Sequence, residues 1–357
     1  MLENEIMQSF KDIYYMFEDD LSKELYLNRL VWLITDDFGY IEKIVKKSHP
    51  DMPVWNCGSE EEFVMELPCE KDIVFYGAGS FAERILPYIK GKMKNIEFCD
   101  GNREKQKSGF HGYPVVHPDE AVRNGNNKSF VICTTKYTDE IREYLLANGI
   151  LQENIIDIRP YFCCGTGDEY FYEDFLEFSD KEIFIDAGCC DLGTTADFFM
   201  VCKNLQKSYA FEPDAANYKK CIERIEREKG ALPEIVMLPY GTWSCKTELH
   251  FNATGDGCAH IGDGETVIKT IAIDDVVSKQ EKVTFIKMDV EGAELESLKG
   301  AEKIIKRDRP KLAICIYHKP EDMITLPLYI KSLVSEYKFY LRSYSNADNE
   351  MVLYAIP

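Results

Sequence analysis

The sequence predicts an α/β protein built from two doubly wound Rossmann-like domains, the second with a mixed sheet, preceded by a helical segment. Three observations carry this expectation. Apolar strand-like runs alternate with helical stretches from Lys71 onward; a glycine turn follows the first strand of each of two such series, at Gly77 and Gly188; and the second series ends in two adjacent strand-like runs joined by a short turn. Alternation of this kind makes a parallel sheet covered by helices, and a terminal hairpin makes that sheet mixed. A chain of 357 residues is also too long for one ordinary core. The expected boundaries are 1–69, 70–158 and 159–357.

Residues 1–69 have helical periodicity: "FKDIYYMFEDDLSKELYLNRLVWLI" repeats apolar residues at spacings of three and four. The aromatics Tyr14, Phe17, Tyr26 and Trp32 fit a packed stripe better than a ligand platform. The segment is expected to be a small cap or a homodimerisation arm. Next, "DIVFYGAGSFAERILPYI" is strand, glycine turn and helix, followed by the strands "NIEFCD", "SFVICTT" and "NIIDI". This series ends near Ile158, about the size of one mononucleotide-binding half. Its "GAGSFA" fits Gly-x-Gly-x-x-Ala, with Asp100 closing the next strand, so Gly77, Gly79 and Asp100 mark a possible nucleotide site. Scaffold use is the competing expectation.

The second series contains the strands "EIFIDAG", "KSYAFEP", "EIVMLPYG", "VTFIKMDV" and "KLAICIYH", then the hairpin "KFYLRSYS" and "NEMVLYAIP". Composition narrows its partners. Acidic residues outnumber basic ones by 62 to 42, a formal net charge of -20, which disfavours nucleic acid and anionic membrane and leaves small molecules. No apolar run approaches the ~20 residues that span a bilayer, and the opening is too acidic for a signal peptide, so a reducing cytoplasm is expected. The 13 cysteines are odd in number and irregularly spaced, and the pairs Cys163-Cys164 and Cys189-Cys190 fit packing better than metal binding.

Ligands of open parallel sheets bind outside the carboxyl ends of the strands. The residues there are Asp186, Gly188, Asp191 and Gly193 after the first strand, Glu212, Pro213 and Asp214 after the second, Asp289 and Glu291 after the fourth, and His318 after the fifth. An acid in the position of Glu212 accepts hydrogen bonds from adenosine ribose hydroxyls, which suits NAD and S-adenosylmethionine equally. The first turn separates them. Asp186 and Asp191 would repel a pyrophosphate and attract a cationic, phosphate-free donor, so the expected cofactor is S-adenosylmethionine. Asp289 is expected beside the transferable methyl as base, metal ligand or orienter of the acceptor, and helix capping is the competing role for Asp289 and Glu291. His318 is a candidate general base or a structural histidine, and His260 could reach the acceptor from a glycine-rich lid. The sequence shows no complete metal-ligand set, so a divalent metal is left open.

"FIDAG", "AFEPD", "IKMDVEGAELESLKGAEKII" and "RPKLAICIYHKPEDM" together resemble the FkbM-type family of S-adenosylmethionine-dependent methyltransferases, from about Glu182 to Pro357. The resemblance implies a class I methyltransferase fold, seven strands with the hairpin at one edge, and usually O-methylation of a sugar, polyketide or similar hydroxyl compound. The family's first turn commonly runs Asp-x-Gly-x-x-x-Gly, whereas here Leu192 holds the second glycine position and Gly193 follows it. Either the loop is one residue longer or Asp191 supplies the key side chain. Lys71 to Ile158 is similar to the small Rossmann-like domain at the front of sugar-tailoring acyltransferases. Two other functions remain open at this level: a catalytically silent nucleotide-binding regulatory module, and a nucleotide-sugar oxidoreductase using "GAGSFA".

Overall fold

The computed structural model describes the chain except for residues 1, 56–59, 69, 91, 94, 124, 126, 135–136, 163–164, 180, 204, 231, 253–259, 262–263 and 265, together with the side chains of 2–6, 60, 80, 251–252 and 260–261. It divides into two compact units: Met1–Ser48 with Asp168–Tyr344 and Asp348–Pro357, and His49–Gly167 with Ser345–Ala347. The helical N-terminal segment is thus divided between them, the first 48 residues grouping with the C-terminal sheet.

The first unit is organised by a seven-stranded sheet: β1 (Glu182–Ala187), β2 (Leu205–Phe211), β3 (Glu234–Leu238), β4 (Phe285–Met288), β5 (Lys311–Cys315), β6 (Lys338–Ser343) and β7 (Met351–Ile356). Their spatial order is β6-β7-β5-β4-β1-β2-β3, and β7 runs antiparallel to both neighbours while the other pairs are parallel. Central strands covered on both faces must be apolar throughout. All four residues of β4 are buried, as are most of those in β1, β5 and β7. Phe171, Phe184, Phe198 and Phe285 form the aromatic centre of one face, with Phe184 and Phe198 ring centroids 4.7 Å apart. Such ring pairs add stability beyond the area they bury.

An exposed edge such as β6 invites pairing with other chains. Here the N-terminal segment covers it. Glu18 N–H donates to the Phe339 carbonyl at 3.0 Å, Leu341 N–H donates to Ser22 Oγ at 2.8 Å, and Arg342 reaches Asp19 at 2.7 Å and Glu173 at 2.8 Å. Between β3 and β4 the chain builds a small four-stranded sheet, in the order His260–Ile261, Glu248–Asn252, Thr266–Ile271, Gly241–Thr242. The lid residues 253–259 and the side chain of His260 lie outside the described residues, as does the pair Cys163-Cys164.

The second unit holds five parallel strands in the spatial order Val115–Val116, Ile96–Cys99, Asp72–Tyr76, Lys128–Ile132, Ile155–Asp157. Four of these coincide with expected strands. The two-residue strand Val115–Val116 is too short to leave an alternating pattern. Among the described residues no helix is long and apolar enough to cross a membrane, and the described cysteines are free and mostly buried.

Candidate active site

Four strand ends of the first unit converge on one rim, through backbone shapes that few residues tolerate. Gly188 sits at φ 80°, and a Cβ there would lie 1.9 Å from the Asp289 carbonyl oxygen, so only glycine lets the ends of β1 and β4 approach. Cys190 and Leu192 follow at φ 50° and 64°, and Leu192 is buried as the chain enters the helix Gly193–Val201. Asp191 is exposed; its Oδ1 accepts the Gly193 N–H at 2.8 Å and its carbonyl accepts from Arg224 at 3.1 Å.

Asp186 is fully buried. Thr195 Oγ1 donates to its Oδ2 at 2.8 Å, and Lys287 Nζ lies 3.3 Å from its Oδ1 while donating to the Gly188 carbonyl at 2.7 Å. Lys287 is the register partner of Asp186 across β4 and β1. Burial alone would lower the Lys287 pKa, but the Asp186 and Asp289 carboxylates outweigh it and hold the ammonium charged. The charge of Asp186 is therefore balanced from within. The expectation that Asp186 presents free negative charge to a ligand is corrected, and Asp191 is left as the exposed acid of this turn.

Glu212 at the end of β2 is buried, and both oxygens are engaged: Oε2 accepts the Cys190 N–H at 3.0 Å and Oε1 the Asp214 N–H at 2.8 Å. Burial pushes its pKa up to about 7, against the opposing pull of those amide bonds. The two amides fix the plane of the carboxylate and leave further lone pairs for hydroxyl donors. Asp214 is a helix cap, its Oδ1 accepting from Ala216 N–H at 2.8 Å and Asn217 N–H at 3.0 Å at the start of Ala215–Arg227. Pro213, half-buried, joins the two acids.

Asp289, Glu291 and His318 come together. His318 Nε2 lies 3.4 Å from Asp289 Oδ1 and 3.4 Å from Glu291 Oε2, while Nδ1 lies 2.9 Å from Glu294 Oε1. Glu294, the first residue of the helix Glu294–Gly300 rather than part of its body, is fully buried; its Oε1 also accepts from Val290 N–H at 3.0 Å and Gly292 N–H at 3.4 Å. Burial pulls the His318 pKa down, but Glu294 first, then Asp289 and Glu291, raise it to about 9. These carboxylates favour the protonated ring in the ligand-free protein, which makes it a weaker proton acceptor than its location alone suggests.

Further residues enter from distant parts of the chain. The Tyr170 hydroxyl donates to Asp289 Oδ2 at 3.2 Å. Glu169 is pushed upward by burial and then by Asp289, and Glu350 by burial and then by Glu169 and Asp289. Nothing local in the sequence marks these three. Lys287 does carry a signal, because a lysine inside an apolar strand needs a partner. Five of the eight non-glycine residues at positive φ among the described residues, Tyr170, Cys190, Leu192, Glu291 and Glu350, stand around this rim. A cavity of about 580 Å³ lined by Phe178, Lys282, Lys311 and Lys338 lies at the opposite, amino ends of the strands, where open sheets do not bind their ligands.

In the second unit, Gly77 sits at φ 107° and Asp100 Oδ2 accepts the Ala78 N–H at 3.0 Å and pairs with Lys105 at 2.9 Å. Gly77, Gly79, Asp100 and Lys105 line a cavity of about 490 Å³.

The strand order, the single antiparallel strand beside the edge, and the acid at the end of β2 facing the glycine turn define a class I methyltransferase fold. Residues 186–345 match the model of the methyltransferase FkbM domain. The hexuronic acid methyltransferase AglP of Haloferax volcanii is 31% identical over 130 residues, which cover 35% of this chain and 52% of that protein; the chain spans about half the length of this curated relative. A solved methyltransferase FkbM from Methylobacillus flagellatus KT aligns over 90% of this chain and 99% of its own, at 18% identity and a TM-score of 0.48. An rRNA methylase from Streptococcus thermophilus aligns over 50% and 86%, at 18% identity and a TM-score of 0.34.

Proposed function

We propose that the chain transfers a methyl group from S-adenosylmethionine to a hydroxyl of a sugar-like acceptor, with a uronic acid as the first class to test. The observation that carries the adenosine part of the donor reading is Glu212, whose carboxylate is aimed by the Cys190 and Asp214 amides at the glycine turn of β1, while the exposed Asp191 of that turn and the FkbM domain match support a phosphate-free donor over NAD. The acceptor reading is supported by the hexuronic acid methyltransferase relative. Methyl transfer from a sulfonium is a direct displacement, and most of its acceleration comes from holding oxygen, methyl and sulfur in line. The hydrogen bond from Tyr170 and the closeness of the Asp289 backbone to Gly188 support Asp289 as the residue that orients the acceptor hydroxyl.

Calorimetry should show S-adenosylhomocysteine binding and no NAD binding, and a methyl-release assay over uronic acids and neutral sugars should identify the acceptor. NAD binding in place of the adenosyl ligand would sink the reading. Asp289→Asn should abolish turnover while leaving donor affinity within about tenfold; unchanged turnover would remove Asp289 from the mechanism. For the second unit we propose a nucleotide or nucleotide-sugar ligand, supported by the glycine-lined cavity and the placement of Asp100.

A further inference from the structure

We propose that Asp289, Glu291 and His318 form a divalent-cation site at the carboxyl ends of β4 and β5. One ligand atom from each lies within 4.8 Å of the other two. A cluster of acids alone would not carry this, since acids gather at many strand ends; the imidazole does. The His318 side chain is 8% exposed, and its Nε2, aimed between the two carboxylates at 3.4 Å from each, has no hydrogen-bond partner. Asp289 Oδ1, also buried, has none either. Neither 3.4 Å contact has the alignment of a hydrogen bond, so these atoms do not satisfy one another. They are spaced as ligands of one ion would be: donors about 2.1 Å from a metal and at roughly right angles stand about 3.0 Å apart.

The other ring nitrogen supports the same conclusion. A metal-binding histidine is usually braced through its remote nitrogen by a carboxylate, which fixes the tautomer and the ring plane. Glu294 Oε1 stands 2.9 Å from Nδ1 as an ion-pair partner, off the line of a hydrogen bond, and is itself held by the Val290 and Gly292 amides. Two carboxylates with one imidazole suit Mn²⁺ and its neighbours in the first transition row better than Ca²⁺. His318 Nε2 binds the ion in its deprotonated form, its proton passing to solvent as the ion enters, and the remaining positions are left to water or to acceptor oxygens.

The catalytic meaning rests on the methyltransferase reading, whereas the binding itself does not. In that reading, an acceptor hydroxyl bound to the cation loses its proton to a solvent water more readily. The oxygen–methyl bond forms as the methyl–sulfur bond breaks, and the neutral thioether leaves. A uronic acid, with a carboxylate and hydroxyls on one ring, offers two oxygens to such an ion.

The test uses the full chain, treated with EDTA, dialysed and titrated with Mn²⁺ alone. Electron paramagnetic resonance should show one bound ion, with a nitrogen coupling from an imidazole. Glu291→Gln, His318→Gln and the positioning change Glu294→Gln should each weaken binding by about tenfold or more, and His318→Gln should erase the nitrogen coupling. Circular dichroism checks that each variant is folded; should one fail, the nitrogen coupling of the unmodified chain still decides. Absence of Mn²⁺ binding, binding without nitrogen coupling, or binding unchanged in the folded variants overturns the proposal and leaves His318 as the cation that balances the two carboxylates. S-adenosylhomocysteine binding is measured separately on the same protein. Its failure while Mn²⁺ binds would overturn the donor reading and leave the cation site standing.

Discussion

Gly188 and Glu212 show how far single residues determine this site. A methyl group at position 188 would meet the Asp289 carbonyl oxygen at 1.9 Å, in a backbone conformation that already costs an L-residue ~1–2 kcal/mol. Gly188→Ala should therefore destabilise the protein by more than about 2 kcal/mol, visible as a lower Tm, and should weaken donor binding because the turn and Asp289 move together. Glu212 leads to a pH dependence. Its pKa stands near 7 because ionisation is penalised by burial, so the ligand-free protein loses stability as pH rises from the ordinary glutamate range through about 7. In the proposed donor complex, ribose hydroxyls donating to the ionised carboxylate would reverse that penalty. Donor affinity should rise with pH up to about 7 and weaken by up to about tenfold per unit below it, with proton release that calorimetry in buffers of different ionisation enthalpy detects. Glu212, Gly188 and Asp289 could be found in the sequence because strand ends are. Tyr170 and Glu350 could not, since they reach the rim from before β1 and from beside the final hairpin, and no local spacing encodes such a meeting.

At the level of elements, the strands of both sheets were legible because buried parallel strands are apolar runs bounded by turns. The small sheet between β3 and β4 was not. Its strand Thr266–Ile271 is half solvated and its surroundings are rich in glycine, so the pattern resembles a loop. The role of the N-terminal helices was also hidden, because periodicity reports that a helix has an apolar face and not what that face covers. Glu18, Ser22 and Asp19 show that they cover β6. Removing residues 1–48 would uncover the backbone of that edge and strand the Arg342 guanidinium without Asp19. The truncated protein should form higher oligomers or precipitate, as size-exclusion chromatography would show.

Across the whole molecule, two α/β units were foreseeable from two glycine turns, each after a strand. The assignment of the first 48 residues to the C-terminal unit was not, for it depends on contacts more than 300 residues apart in sequence, such as Ser22 with Leu341. Charge behaves in the same way. A total of -20 says little about Asp186, whose carboxylate is answered by a lysine one strand away.

The left-handed residues around the rim have a consequence for how this protein would respond to selection. A side chain held at φ 53°, as Glu350 is, opposes the fold through its backbone and again through a carboxylate that burial and neighbouring acids keep from ionising freely. Glu350→Gly should raise the melting temperature, as differential scanning calorimetry would show. Laboratory evolution for heat resistance alone would accumulate such exchanges around this rim.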